Sequence, residues 1–177
     1  MKLILIDGGP ASGKNTLGAL LVEKFQQVKN KVILLDLDTY VERINPTWIW
    51  KNKNNEKKDQ QEARRNFAIA IRKYLQEDYT VIAIGERFLT RTDIATFLNR
   101  IELSCPVYLY HLLVPISLRR KRLHERGSHS LIDIDKDQKE RETITLWPGH
   151  VYKNINSPEV DVATLLELIQ DSKGLLI

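Results

Sequence analysis

Seven residues near the start of the chain, Gly8-Gly9-Pro10-Ala11-Ser12-Gly13-Lys14, constrain its fold more than any other stretch. They follow a short all-apolar run at residues 3–6, which reads as a buried strand. They open a stretch, from about residue 14 to 28, in which Leu17, Leu20, Leu21, Phe25 and Val28 recur at helical spacing. Strand, glycine-rich turn and helix in that order put small residues where the backbone must bend tightly. Small residues also let consecutive N–H groups close around an anion. The helix directs its positive end to the same point, and Lys14 adds a full charge. The spacing G-x-x-x-x-G-K in this context therefore points to a phosphate-binding loop.

The remaining pattern says what surrounds that loop. Three more apolar runs, at residues 32–35, 81–84 and 107–110, alternate with helical stretches at about 60–76, 93–101 and 115–126. Ser157-Pro158-Glu159 opens a last helix, with Ser157 as cap and Pro158 in its first position. A short fifth strand is expected near 151–155. Runs apolar on both sides, separated by helices, predict a parallel sheet with helices on both faces. The expected class is α/β, a three-layer αβα P-loop fold with a five-stranded parallel sheet. The whole chain, 1–177, is expected to form a single domain. Residues 45–59 are polar and hold Trp48 and Trp50, so an acceptor-binding insertion is expected at about 40–66, with 51–58 as a solvated loop. A second polar stretch after residue 127 is expected to supply a lid at about 127–145.

Composition limits the setting. The net charge of +4 suits an anionic ligand such as a nucleotide but is too weak to argue for nucleic acid by itself. No apolar stretch approaches the roughly 18–20 residues of a membrane span, and the apolar start ends at Asp7, too short for a signal peptide. The single cysteine, Cys105, suits a reducing compartment. A cytoplasmic protein without a membrane partner, monomer or homodimer, is expected.

The loop and the residues that end the other strands resemble the small-molecule and nucleotide kinases of the P-loop NTPase superfamily. Residue 15 is Asn where a hydroxyl residue usually ligates Mg²⁺, and Thr16 follows. Lysine, one non-hydroxyl residue and threonine resemble nucleoside monophosphate kinases, which implies that Thr16 contacts phosphate. The resemblance assigns ATP to Gly9, Pro10, Ala11, Ser12, Gly13, Lys14, Asn15 and Thr16, and Mg²⁺ to Asn15 and Asp36. Asp36-Leu37-Asp38 ends the second strand and resembles the Asp-x-Asp of shikimate kinases, which places Asp38 at the acceptor. A carboxylate there can take the proton of an acceptor alcohol. Glu86-Arg87, ending the third strand, instead resembles the acidic-Arg pair of thymidylate and deoxynucleoside kinases. Arg119, Arg122 and Arg126 share one helix edge and, with Arg141 beyond, resemble a kinase lid, with Arg122 and Arg126 nearest to it. The expected catalytic set is Lys14, Asp38, Glu86, Arg87, Arg122 and Arg126.

This reading expects transfer of the γ-phosphoryl group of ATP to a small acceptor, either a nucleoside or nucleotide or a shikimate-like alcohol. An RNA or DNA end kinase and a non-catalytic ATP-binding module are its rivals. Trp48 and Trp50 are expected to pack the insertion onto the core more than to stack on an acceptor. Arg64 and Arg65 suit an anionic acceptor or a surface ion pair equally. Asp133, Asp135 and Asp137 lack the glycine and glutamate of a calcium loop.

Overall fold

The computed structural model of the chain describes residues 1–102, 105–127 and 133–176. Its centre is one sheet of five parallel strands: β1 (Lys2–Gly8), β2 (Val32–Asp36), β3 (Thr80–Ile84), β4 (Val107–Leu113) and β5 (His150–Lys153). The spatial order is β2-β3-β1-β4-β5. Leu3 of β1 is registered with Val81 of β3 on one side and Val107 of β4 on the other. Leu3, Ile4, Leu5 and Ile6 are all fully buried, which is why β1 reads as continuous apolar sequence rather than an alternation. Chain direction across the sheet reverses around β1, so the crevice outside its carboxyl end is where a ligand fits a doubly wound sheet.

Helices α1 (Lys14–Gln27) and α7 (Pro158–Gln170) cover one face through Leu17, Leu21, Phe25, Val162, Leu165 and Ile169. Helices α2 (Leu37–Ile44), α3 (Lys53–Gln76) and α4 (Arg91–Ile101) cover the other through Val41, Phe67, Ile71, Leu75, Ile94 and Phe97. Each such side chain contributes about 1.5–3 kcal/mol on burial. Phe67 meets Tyr40 edge-on at 5.4 Å and Phe97 at 6.3 Å. Replacing it with alanine would leave a cavity costing about 3–5 kcal/mol. Two further helices, α5 (Ile116–Glu125) and α6 (Ile134–Glu142), follow β4 and pack on each other.

The expected strands and the five expected helices are present, and the class is the expected one. Three helical segments go beyond the expectation. The 51–58 stretch, expected as a loop, is mostly the start of α3, which begins at Lys53. Asn52 caps it by accepting from the Asn55 N–H, and Trp50 Nε1 donates to Asp59 at 2.8 Å. Its first turns are exposed, so the apolar period that signals a helix starts only at Ala63. Helix α2 is two turns long, with Asp36 as its cap. Helix α6 lies in the polar stretch expected as a lid, and it buries Asp137 and Arg141 instead of apolar residues. Residues 128–132 of that expected lid lie outside the described residues.

Candidate active site

The loop after β1 is shaped by two left-handed residues, Ala11 at φ 57° and Gly13 at φ 92°. Gly13 is required twice over, because a Cβ there would also strike the Asn154 amide. That amide donates from Nδ2 to Ser12 O at 2.6 Å and ties the loop to the segment after β5. Lys14 Nζ donates to Gly8 O at 2.7 Å and Gly9 O at 3.2 Å, so its charge lies inside the curve of the loop. Burial pulls the Lys14 ammonium below the ordinary lysine range, against the pull of the Asp7 carboxylate. The buried Ser12 hydroxyl has no hydrogen-bond partner among the described residues. An orphaned polar atom in a loop of this shape fits a loop that accepts phosphate oxygens.

The segments that follow β1, β2 and β3, together with α6, wall a cavity of 350 Å³ beside the loop, lined by Lys14, Asp38, Glu86, Arg87 and Arg141 and edged by Trp48. Asp36 Oδ1 accepts from the Asp38 N–H at 3.0 Å, and Asp36 Oδ2 accepts from Asn15 Nδ2 at 2.9 Å. Burial first, then the neighbouring Asp36 charge, push the Asp38 carboxyl up, with Lys14 opposing. Gly85, at φ 92°, allows the end of β3 to pass close to Asp36 and Leu37. Glu86 accepts two hydrogen bonds from Arg64 Nε, at 2.9 and 3.1 Å. Arg87 turns away from Glu86 and reaches α6, donating to Glu140 at 2.8 Å and lying 3.2 Å from Asp137.

A second cavity, of 310 Å³, lies on the other side of the loop, with Gly13, Thr16, Arg122, Arg126, Asn154 and Asn156 in its walls. Arg122 donates to Ala11 O at 3.4 Å and Asn154 O at 3.3 Å. Asp161, fully buried, holds this wall by accepting from Tyr152 Oη at 2.6 Å and from Asn156 Nδ2 at 2.8 Å. Burial first, then Asp161, push the Tyr152 phenol up to about 12.

A family profile described as an AAA domain matches residues 3–146. The chain belongs to this P-loop NTPase family. Among solved structures it is similar to a sugar kinase from Janibacter sp. HTCC2649, at 15% identity and TM-score 0.66, over 96% of this chain and 95% of that one. It is similar to shikimate kinase from Aquifex aeolicus vf5, at 19% identity and TM-score 0.59, over 97% and 98%. It is also similar to the tunicamycin resistance protein of Deinococcus radiodurans, at 14% identity and TM-score 0.65, over 99% and 98%. These likenesses establish a P-loop kinase fold. No curated protein sequence matches the chain.

This P-loop NTPase brings Lys14, Asp38, Glu86 and Arg87 into one cavity and puts Arg122 and Arg126 in the other. Asn15 and Asp36, the residues expected to hold Mg²⁺, stand side by side next to the loop. Mg²⁺ keeps several waters and takes one or two carboxylates plus substrate phosphates, and this donor pair fits that habit. Among the described residues no group of three or more His, Cys, Asp or Glu could hold a metal.

Sequence reasoning named Arg141 but passed over Asp7 and His111, the residues through which α6 joins the sheet. Asp7, fully buried at the end of β1, accepts from Arg141 Nη1 and Nη2 at 2.9 and 3.0 Å and lies 2.9 Å from His111 Nδ1. Burial alone raises its carboxyl, but the bonds to His111 and Arg141 outweigh it and hold Asp7 well below the usual carboxylate range. The ring of His111 packs 4.5 Å from that of Trp147, and its Nε2 meets Pro148 O. Arg119, rather than Arg122 or Arg126, is the buried arginine of α5, and it donates to Pro10 O at 2.8 Å. An aspartate closing an otherwise apolar strand was the available signal for this network.

Proposed function

We propose that this protein is an ATP-dependent, Mg²⁺-using small-molecule kinase that transfers the γ-phosphoryl group to a hydroxyl of a nucleoside or shikimate-like acceptor. The single observation that carries the reading is the shared cavity in which Lys14 and Asp38 face Arg87 and Arg141 at the carboxyl ends of the strands. The chain would work as one domain, with the acceptor at the 40–66 insertion and the lid at 127–145. Loop amides from Gly9 to Thr16 and the Lys14 ammonium hold the β- and γ-phosphate oxygens. Asp38 is the base. Its basicity is raised by burial and by Asp36, whereas Glu86 is engaged by Arg64 and acts by positioning. Asp38 takes the proton as the acceptor oxygen bonds to the γ-phosphorus; the bond from that phosphorus to the bridging oxygen breaks and ADP leaves. Arg87 and Arg141 stabilise the charge spread over the transferring group. Asn15 and Asp36 would hold Mg²⁺, which would supply further neutralisation of the phosphates. Arg122, Arg126, Asn154 and Asn156 face the nucleoside end of ATP.

The size of the cavity and the alcohol acceptors in the names of the sugar and shikimate kinases support a small acceptor over a nucleic-acid end. The test is ADP release from ATP·Mg²⁺ with pooled nucleosides, nucleoside monophosphates, shikimate and small sugars. One pool should stimulate release in the wild type and none should in Lys14→Ala. Binding of ATP without stimulation by any pool would overturn the reading.

A further inference from the structure

Three guanidinium groups are gathered around an anion that the chain itself provides. Asp137, on α6, is 2% exposed. Its Oδ2 accepts from Arg119 Nη2 at 2.8 Å, and its carboxylate accepts from Arg141 Nε at 3.2 and 3.3 Å. Arg87 Nη2 lies 3.2 Å from its Oδ1. The three guanidinium groups come from three different places: the end of β3, helix α5 and helix α6. The carboxylate also lies against the phosphate loop. A Cβ on Gly9 would collide with Asp137 Oδ2 and with the Arg119 guanidinium. Asp137 and Arg87 face the cavity that holds Lys14.

A carboxylate and a phosphoryl group ask the same thing of arginine, two parallel N–H donors to two oxygens. One guanidinium face cannot serve both at full strength. We propose that Asp137 is a built-in competitor for phosphate, an autoinhibitory latch that occupies Arg87, Arg119 and Arg141 until a phosphorylated ligand displaces it. The latch rests on the reading of this cavity as the phosphoryl-transfer site. It would keep α6 docked and the arginines paired before substrate arrives, and it would scale apparent affinity down to the fraction of molecules in which the arginines are free. Net charge at the loop then changes little between the free and liganded states, because one anion replaces another.

The test is binding of inorganic tripolyphosphate, measured by calorimetry, to the full chain and to Asp137→Asn, which keeps the size of the side chain and removes its charge. Asp135→Asn is the control for net charge, since Asp135 pairs with Arg120 at the surface. The latch predicts binding about 10-fold tighter or more in Asp137→Asn, with Asp135→Asn close to wild type. Equal or weaker binding in Asp137→Asn overturns it, because a carboxylate that merely preorganises the arginines would on removal loosen the site. Without the Asp137 charge, the buried Arg119 has no acidic partner among the described residues, which can prevent folding. The pair Arg119→Gln and Arg119→Gln/Asp137→Asn removes one cation first and asks the same question, and the double variant should bind tripolyphosphate more tightly than the single one. The outcomes separate the two readings. Tighter binding without phosphoryl transfer to any acceptor keeps the latch and removes the kinase, whereas transfer without tighter binding keeps the kinase and removes the latch. Absence of tripolyphosphate binding in every variant removes the latch as well.

Discussion

The Lys14 and Arg122 cavities flank the phosphate loop and have no lining residue in common. The Lys14 side mixes both signs of charge at close range: one lysine, two arginines and the carboxylates Asp38, Glu42, Glu86 and Asp137. The Arg122 side has two arginines, two asparagines and the Thr16 hydroxyl, with Glu125 as its acid. Opposed charges held in one place can stabilise a charge that moves, which is what group transfer needs. Amides and a few cations recognise a ligand whose charge stays put. The contrast assigns chemistry to one side and nucleotide recognition to the other, and variants on each side should differ in kind as well as in size.

The largest effect is expected at Lys14. Lys14→Ala should lower kcat by about 10³-fold, the scale for loss of a preorganised charge at developing negative charge. The fold should remain, because the Lys14 ammonium bonds only to Gly8 and Gly9 carbonyls of its own loop. Steady-state kinetics with a melting curve separates the two effects, and a collapse of stability would move Lys14 from the chemistry to the scaffold.

Next comes the anchor of the charged side. Asp7→Asn removes the partner of the Arg141 fork and leaves that guanidinium with only Asp137 among its acidic neighbours. Breaking a buried pair from one side costs about 3–5 kcal/mol. The pH dependence has a definite sign. The folded Asp7 carboxyl titrates below its unfolded value, so the unfolded chain binds the proton first on acidification. The stability advantage of wild type over Asp7→Asn is therefore complete above about pH 4 and shrinks as the pH falls below that. Urea titrations of both proteins between pH 7 and pH 3 read it directly, and a constant difference across that range would show that Asp7 acts by shape alone.

Asp38→Asn follows, with kcat lower by about 10²-fold and little change in KM for ATP, the signature of a lost general base. Glu86→Gln is the useful companion. Positioning through Arg64 predicts a smaller loss, borne mainly by KM for the acceptor. If Glu86→Gln is the more damaging of the two, the base is Glu86.

Legibility in the sequence followed the same division. The loop, the apolar strands and the carboxylates at strand ends announce themselves because each is a local pattern: small residues before a lysine, four apolar residues in a row, acids after them. The parallel character of the sheet and the apolar face of α1 follow from those patterns, whereas the strand order does not. Helix α6 carries no such pattern. Asp137 and Arg141 are buried on it by one another and by Asp7, Arg119 and Arg87, which are distant in sequence, so a stretch that reads as a solvated lid packs through charge. The start of α3 is hidden for the opposite reason, since its first turns touch no core and are held by the Asn52 cap and the Trp50–Asp59 bond. Among the arginines of α5, spacing put three on one edge but could not say which would be buried. Arg119 is, because it meets Pro10 and Asp137.

The smallest effect is the one that tests the contrast most sharply. Arg122 touches two backbone carbonyls, Ala11 and Asn154, and it faces the cavity away from Lys14. An interaction with the nucleoside end of ATP is the same before and during transfer, so it contributes uniform binding. Arg122→Ala should raise KM for ATP by about 10-fold and leave kcat within about twofold. The same variant should leave KM for the acceptor unchanged. A fall in kcat comparable to that of Asp38→Asn would mean that α5 reaches across the loop during transfer, and the two cavities would then have to be read as one site divided only in the free protein.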